Sequence, residues 1–243
     1  MHFRWNYEKP TPEQSQVAKE LAAKLCISPV LTSLLVKRGV TTECAAKRFF
    51  RPQLADLINP FVMKDMDIAV ERLNDAMGRK ERILVYGDYD VDGCTAVALV
   101  YKFLRQYYSN IDYYIPDRYD EGYGVSNRGI DYAKQTGVKL IIILDCGIKA
   151  IEEIAYAKSL GIDFIVCDHH MPDEQLPNAV AILNPKQDND PYPFKDLCGC
   201  GVGFKFMQAF AKNNGIPFSR LIPLLDFCAV SIAADLVPVV DEN

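Results

Sequence analysis

The chain has 243 residues, and its 49% hydrophobic content is enough for one large α/β domain with a core of its own and a small extension. No apolar stretch approaches the roughly 20 residues that span a bilayer, and the first residues do not form a signal peptide, so we expect a soluble, cytoplasmic protein. The net charge of −5 argues against a free-standing nucleic-acid binder, because phosphate contacts need Lys and Arg.

The first part of the chain has a helical character. Residues 1–65 carry no strand pattern, and residues 11–25 and 42–50 are predicted as short helices that begin at Thr. We therefore predict a helical N-terminal segment over residues 1–65, which joins the main domain, residues 66–243, near residues 61–67.

Apolar runs alternate with helical patterns in the rest of the chain. The predicted strands lie near residues 82–86, 111–115, 139–144, 163–167 and 179–183, and the predicted helices near 94–108, 127–136 and 149–160. This alternation predicts an α/β fold with a five-stranded, mainly parallel sheet flanked by helices. Such sheets bind their ligands beyond the carboxyl ends of the strands, so we expect the residues that follow each strand to share one cleft.

The most informative motif is Asp88-Tyr-Asp-Val-Asp-Gly93, which follows the first predicted strand and precedes an apolar helix. Carboxylates this close raise one another's pKa unless a cation lies among them, so the motif favours a divalent metal site. An EF-hand calcium loop is excluded, because its twelfth position needs a bidentate Glu and is Leu99 here. A solvated acidic turn is the alternative for this motif taken alone.

Two further motifs follow apolar strands. Asp145-Cys-Gly147 comes after the most apolar run, and Asp168-His-His170 places two histidines beside an acid. A single histidine is more often structural, but two adjacent histidines with an acid at a strand end favour metal or phosphate chemistry.

Three more polar residues are candidates for the same cleft. Arg118 follows the second predicted strand, beside the Gly-rich run Glu121-Gly-Tyr-Gly124, which we expect to be flexible. Arg118 could grip a phosphate through two hydrogen bonds, or form a surface ion pair. Asn184 follows the last strand. Asp235 lies where a helical stretch that starts near Phe218 ends, and it could be a further ligand or a turn acid.

The predicted ligands are mostly carboxylates with one imidazole. This set suits Mn²⁺, our first choice, or Mg²⁺ better than structural zinc, which prefers thiolates. The eight cysteines contain no Cys-x-x-Cys pair, and we expect free thiols. Two cations about 3.5–4 Å apart, bridged by a carboxylate, activate water for displacement at phosphorus. The sequence therefore predicts phosphoester hydrolysis.

The motifs at Asp88–Gly93, Arg118 with Glu121–Gly124, Asp145–Gly147 and Asp168–His170 resemble, in order, those of the DHH phosphoesterase superfamily. Within it the chain is most similar to the RecJ family of bacterial 5′→3′ exonucleases specific for single-stranded DNA. The similarity extends over nearly all of the chain. It includes Cys198-Gly-Cys-Gly-Val-Gly203 and Ala234-Asp-Leu-Val-Pro238.

The resemblance implies roles for individual residues. Arg118 and His170 would contact the scissile phosphate, and Asp168 would orient an imidazole. The implied metal ligands, for two ions of Mn²⁺ or Mg²⁺, are Asp88, Asp90, Asp92, Asp145, His169 and Asp235.

The resemblance also implies a substrate and partners. The substrate would be single-stranded DNA, hydrolysed in repair and recombination, with a single-stranded-DNA-binding protein and a helicase as partners. Two other functions stay open. One is a DHH phosphodiesterase that acts on short oligonucleotides, cyclic dinucleotides or 3′-phosphoadenosine phosphate. The other is a non-catalytic replication scaffold, which would be expected to have lost motif acids that this chain keeps.

The chain departs from its relatives in two places. Related inorganic pyrophosphatases have a His four residues before their Asp-x-Asp pair, and if that pair aligns with Asp90 and Asp92, Tyr86 stands there. One metal would then be held mainly by carboxylates. The RecJ family also continues into a DHH-associated domain with a Gly-Gly-His signature and an oligonucleotide-binding barrel. Neither precedes Asn243, so we expect an N-terminal part of a longer protein, whose C-terminal domains help to grip DNA.

Overall fold

The computed structural model describes residue 4 and residues 8–243, in two compact units, Met1–Leu57 and Ile58–Asn243. Residues 1–3, which include His2, and residues 5–7 belong to the predicted helical segment and lie outside the described residues. The sequence predicted the boundary at residue 65, whereas the division falls after Leu57. The reason is that residues 58–65 form hydrogen bonds with residues of the second unit. The N–H of Lys64 donates to Asp190 at 3.2 Å, for example.

The first unit contains α1 (Pro12–Leu25), α2 (Pro29–Lys37) and α3 (Glu43–Phe50). Its small core is formed by Leu21, Leu35 and Ala46. The structure has α1 and α3 within one residue of their predicted bounds. The sequence did not predict α2. Apolar side chains lie on its exposed face as well as on its buried face, so they do not form the single stripe that identifies an amphipathic helix.

The second unit is built on a parallel five-stranded sheet with the order β2-β1-β3-β4-β5. The strands are β1 (Arg82–Gly87), β2 (Ile111–Tyr114), β3 (Val138–Leu144), β4 (Asp163–Cys167) and β5 (Ala181–Leu183). All five predicted strands are confirmed, with ends within two residues of the prediction. The apolar runs identified them because a parallel sheet covered on both faces is buried throughout.

Six helices of the second unit, among the described residues, pack around this sheet. They are α4 (Met66–Gly78), α5 (Val91–Leu104), α6 (Asn127–Gln135), α7 (Ile151–Ser159), α8 (Gly199–Asn213) and α9 (Leu225–Asp235). Residues of α6 and α7 share one core cluster with β1, β3 and β4, whereas α5 packs against α8 and α9. No helix in the described part of the chain is both long and apolar enough to cross a membrane.

Two of these helices correct or extend the sequence analysis. The start of α5 lies three residues earlier than predicted, because the Asp90 side chain caps it by accepting from the N–H of Gly93 at 2.9 Å. Asp92 therefore lies inside the helix. The sequence did not predict α8, since it is buried on nearly all sides and lacks the polar face that reveals a helix.

A buried ion pair connects α8 to the last residues of the chain. Lys205 is 1% exposed, and its ammonium contacts the Glu242 carboxylate and donates to the Ile58 carbonyl at 2.9 Å. Glu242 also accepts from the N–H of Ile58 at 2.8 Å and from the Tyr192 hydroxyl. Every charge in this cluster is therefore compensated.

We expect Glu242→Ala to lower the free energy of unfolding by about 3–5 kcal/mol, because it leaves the Lys205 ammonium buried without its counter-charge. The matched control is Asp75→Ala, which breaks an exposed ion pair with Arg79 and should cost at most about 1 kcal/mol. Urea denaturation measures both values. Equal losses would contradict the distinction between the buried and the exposed pair.

Candidate metal centre

The topology of the sheet determines where the site lies. In the order β2-β1-β3-β4-β5, the winding reverses between β1 and β3, which opens a crevice at the carboxyl ends of these strands. Asp88 directly follows β1 and Asp145 directly follows β3. Asp168 and Asn184 follow β4 and β5 in the same way. The predicted convergence past the strand ends is thus present.

His169 lies at the centre of a cluster of carboxylates. Its Nε2 atom is 3.2 Å from Oδ1 of Asp145, 3.7 Å from Oδ2 of Asp92 and 3.7 Å from Oδ2 of Asp235. Asp92, Asp145 and His169 are buried, and Asp235 reaches them from the end of α9, partly exposed. One atom each from Asp92, His169 and Asp235 lies within 4.8 Å of the others, close enough to hold one cation.

Several buried polar atoms in and beside this cluster lack hydrogen-bond partners among the described residues. They are Nδ1 and Nε2 of His169 and Oδ1 of Asp145 within it, and Oδ2 of Asp88 beside it. Although Asp145 and His169 approach to 3.2 Å, their atoms are not aligned for a hydrogen bond. Because unpartnered buried polar atoms are costly and rare in native proteins, this donor set fits a cation among them.

The electrostatics of the cluster lead to the same conclusion. Burial raises the pKa of Asp145 to about 10, and the carboxylates of Asp92 and Asp90 contribute to this rise. Burial also raises the pKa of Asp88 and of Asp235. Burial thus disfavours the ionised forms of these acids, whereas a divalent ion would favour them.

Asp92 is fixed by two other helices. Its Oδ2 atom accepts from the N–H of Gly199 at 2.6 Å, and its Oδ1 atom accepts from the N–H of Cys200 at 2.6 Å and from the Ser231 hydroxyl at 2.7 Å. The N-terminus of α8 stabilises this negative charge. Each carboxylate oxygen has two lone pairs, so Oδ2 can still face a cation. This support was not expected from the sequence, in which the alternating glycines of Cys198–Gly203 are the signal that could have revealed a close backbone approach.

The contact requires a glycine at the start of α8. A Cβ atom on Gly199 would lie 2.6 Å from Cβ and 2.7 Å from Oδ1 of Asp145, which is too close for any real contact. The glycine therefore lets the helix N-terminus reach Asp92 while Asp145 occupies the neighbouring space.

We expect Gly199→Ala to destabilise the protein, because the new methyl group must push α8 away from Asp145. The control is Gly201→Ala in the same turn, where a Cβ atom would meet nothing closer than 3.4 Å. That change should be neutral or stabilising by up to about 1 kcal/mol, since Ala is the better helix former. Thermal unfolding of both variants is the measurement, and equal melting temperatures would contradict the steric argument.

Asp88 and Asp90 lie beside this cluster rather than within it. Asp88 is buried, and its Oδ1 atom accepts from the N–H of Gly124 at 3.2 Å. Asp90 is exposed and caps α5. Neither belongs to a group of potential ligand atoms within 4.8 Å of one another in the described residues. Their roles as ligands stay predictions.

Asp168 orients the imidazole of His170. Its Oδ1 atom lies 2.7 Å from Nδ1 of His170 and accepts from the N–H of His169 at 2.7 Å, and its Oδ2 atom accepts from the N–H of Ile148 at 2.9 Å. Burial opposes ionisation of Asp168, but these hydrogen bonds outweigh it and lower its pKa. The bond between the two side chains also raises the pKa of His170. Asn184 donates to the His170 carbonyl at 2.8 Å and holds the loop.

His170 and Arg118 are joined by a row of aromatic rings. The Tyr123 ring centroid is 6.2 Å from that of His170 and 6.4 Å from that of Tyr89, and the Arg118 guanidinium carbon lies 5.2 Å from the Tyr89 ring. Arg118 is exposed and forms no ion pair within residues 8–243. One potential ligand atom of His170 is also within 4.8 Å of those of Asp145 and His169.

The loop that carries Tyr123 is braced, not flexible as the glycines suggested. The Glu121 carboxylate accepts from the hydroxyls of Tyr114, at 2.9 Å, and Ser126. The Tyr86 hydroxyl donates to the Gly124 carbonyl at 3.0 Å. Tyr86 therefore supports the loop.

Comparison with known proteins decides the family. Residues 82–232 match the model described as the N-terminal domain of the DHH family. The chain belongs to the DHH family. It is 42% identical over 241 residues to the single-stranded-DNA-specific exonuclease RecJ of Bacillus subtilis, covering 99% of this chain and 30% of that protein. It is 37% identical over 228 residues to RecJ of Escherichia coli, covering 89% of this chain and 39% of that protein.

Solved structures agree with this assignment. An exonuclease RecJ bound to manganese matches with a TM-score of 0.68 and 30% identity, over 77% of this chain and 46% of that one. RecJ of Thermus thermophilus in complex with Mn²⁺ matches with a TM-score of 0.75 and 25% identity, over 92% of this chain and 31% of that one. The chain spans between 30% and 40% of the length of the RecJ proteins from B. subtilis, Salmonella typhimurium and E. coli.

Proposed function

We propose that this chain carries the hydrolytic site of a metal-dependent 5′→3′ exonuclease that acts on single-stranded DNA. The observation that carries the proposal is the imidazole of His169, surrounded by three carboxylates and left without hydrogen-bond partners at the strand ends. Relatives described as single-stranded-DNA-specific exonucleases supply the substrate class, and the resemblance to their family implies the polarity.

The cation site would be held by residues from four segments. Asp92, Asp145, His169 and Asp235 would hold one Mn²⁺ or Mg²⁺ ion, and Asp88 and Asp90 would hold a second together with Asp145. Bound ions of this kind activate a water molecule and stabilise charge on the phosphoryl oxygens. The hydrogen bonds from α8 and Ser231 keep the Asp92 carboxylate in place for this task.

Two side chains are suited to the phosphate itself. The bond to Asp168 fixes Nδ1 of His170 and favours the protonated ring, whose opposite nitrogen, 3.4 Å from the Tyr123 hydroxyl, would donate to a phosphoryl oxygen. Arg118, free of acidic partners in the described part of the chain, would donate to a second oxygen. Both would act on charge that develops during displacement.

The wider setting of this activity is part of the same proposal. We place it in DNA repair and recombination in the cytoplasm, with a single-stranded-DNA-binding protein and a helicase as partners. The eight cysteines are unpaired, as a reducing compartment requires.

The direct test is digestion of DNA by the full-length protein that contains this chain. With Mn²⁺, a 5′-labelled single strand should release labelled mononucleotides, while the same strand in a blunt duplex or with a chelator should not. Cleavage of dinucleotides and trinucleotides alone would instead favour a short-oligonucleotide phosphodiesterase. Binding of DNA without hydrolysis would favour a scaffold.

We expect Asp145→Ala and Asp235→Asn to weaken Mn²⁺ binding by more than roughly tenfold, since loss of a residue that merely orients a ligand already costs about 10–100-fold. Asp145→Ala should be the more severe, because Asp145 is nearer than Asp235 to Nε2 of His169, at 3.2 Å against 3.7 Å. The matched control is Asp226→Asn at the exposed start of α9. Calorimetric titration measures all three, and an Asp235→Asn affinity equal to the control would remove Asp235 from the site.

We expect Arg118→Ala to slow turnover by about 10²–10³, the usual cost of losing one preorganised donor to developing charge. Mn²⁺ affinity should stay at the wild-type value. Arg128→Ala, which removes an exposed guanidinium 3.7 Å from Asp120, is the control and should keep the wild-type rate. Loss of Mn²⁺ binding in Arg118→Ala would make Arg118 a structural support of the site.

A further inference from the structure

The charge of the chain is divided unequally between its two compact units. Residues 1–57 contain nine Lys and Arg residues against five Asp and Glu residues, a net charge of +4. Residues 58–243 contain 18 against 27, a net charge of −9. The net charge of −5 for the whole chain is therefore the sum of a basic and an acidic part. Such asymmetry indicates that the basic part contacts a polyanion.

The C-terminal end of α3, in the basic unit, presents cations and aromatic rings together. Lys47 and Arg48 lie in its last turn, and Arg51 follows it as the capping residue. Phe49 and Phe50 lie between these cations and are 49% and 53% exposed. Their ring centroids are 5.5 Å apart, and the rings meet edge to face. We call these five residues the α3 patch.

The cations of the α3 patch are available to phosphates. Lys47 contacts Glu43 at 2.6 Å and Arg48 lies 3.9 Å from Asp56, but these four side chains are between 39% and 70% exposed. Exposed ion pairs of this kind contribute little to stability and are screened by salt, so a phosphate can replace the carboxylate. Arg51 is exposed and forms no ion pair in the part of the chain that the structure describes.

The requirements of the helix alone do not explain the α3 patch. The macrodipole stabilises cations in the last turn, which accounts for Lys47 and Arg48. It does not account for two adjacent phenylalanines with half of their surface exposed. Neither ring belongs to the small core of the first unit, to which α3 contributes Ala46.

Single-stranded nucleic acid is the partner that fits this combination of groups. Proteins that bind it place cations along its backbone and stack its bases on aromatic side chains. A guanidinium matches a phosphate through two parallel hydrogen bonds. In a duplex the faces of the bases are covered by one another, and a peptide of acidic residues alone would leave the two rings exposed.

We infer that the α3 patch binds single-stranded DNA, with phosphates at Arg48 and Arg51 and a base stacked on the exposed phenylalanines. The inference rests on the proposed function, which supplies DNA as the polymer. The patch contains none of the residues of the candidate metal centre, so the contact is additional to the hydrolytic site. It is independent of base sequence, since every base has a face that can stack.

The test is equilibrium binding by the full-length protein that contains this chain, measured by fluorescence anisotropy in a chelator so that no strand is cleaved. The probes are a labelled oligothymidylate and an abasic strand of the same length. Phe49→Ala/Phe50→Ala should weaken binding of the oligothymidylate roughly tenfold, the usual contribution of one base stack, and leave the abasic strand unchanged. The matched control is Val30→Ala/Leu31→Ala, which removes exposed apolar side chains from α2 and should keep both affinities.

The arginines are tested through the salt dependence of the same binding. Each phosphate contact on a single strand contributes about 0.7 to the slope of log affinity against log salt, so Arg48→Ala/Arg51→Ala should reduce the slope by about 1.4. Both probes should show this reduction, because the abasic strand keeps its phosphates. The matched control is Lys9→Ala/Lys19→Ala, which removes the same charge from exposed positions of the first unit and should keep the wild-type slope.

Two outcomes would overturn the inference. If Phe49→Ala/Phe50→Ala binds the oligothymidylate as tightly as its control, no base stacks on α3. If the arginine and lysine variants reduce the slope equally, the effect is one of net charge and the patch makes no contact of its own. The substituted side chains are exposed, so thermal unfolding should find every variant folded. Wild-type protein that binds as expected but hydrolyses no DNA with Mn²⁺ would refute the proposed function and leave the α3 patch confirmed.

Discussion

The carboxylate of Asp92 is the contact on which the functional end of the second unit depends. It lies in α5, accepts two backbone N–H groups from the start of α8, and accepts the Ser231 hydroxyl from α9. One side chain thus ties three helices together beside the sheet. Since Asp235 ends the helix that carries Ser231, the same contact brings Asp235 to 3.7 Å from His169.

The cluster of buried polar groups around His169 is unfavourable for the stability of the fold. Burial raises the pKa of Asp88, Asp145 and Asp235, and the two ring nitrogens of His169 lack partners among the described residues. A fold selected for stability alone would replace such groups with apolar side chains, because uncompensated buried charges are destabilising. The proposed cation site would account for their presence, because a divalent ion would stabilise the ionised carboxylates and satisfy the imidazole at once.

Asp145 and Asp168, which follow neighbouring strands, have pKa values that are shifted in opposite directions. The pKa of Asp145 is raised by burial and by nearby carboxylates, whereas hydrogen bonds from His170 and from backbone N–H groups lower that of Asp168. Such pairs are typical of sites in which each group has a distinct task. Asp145 faces the carboxylates around His169, and Asp168 orients His170 and favours its protonated form. The ring of Tyr123 lies beside this donor side, with its centroid 6.2 Å from that of His170.

The sequence by itself determined the five strands and the residues at their ends, because buried parallel strands are continuous apolar runs and Asp88, Asp145 and Asp168 directly follow them. Only the tertiary structure decided which acids meet. It placed Asp235 in the His169 cluster, left Asp90 as an exposed helix cap, and brought Gly199 and Ser231 to Asp92. These partners lie 107 and 139 positions from Asp92, and local patterns of hydrophobicity carry no information about contacts at such separations.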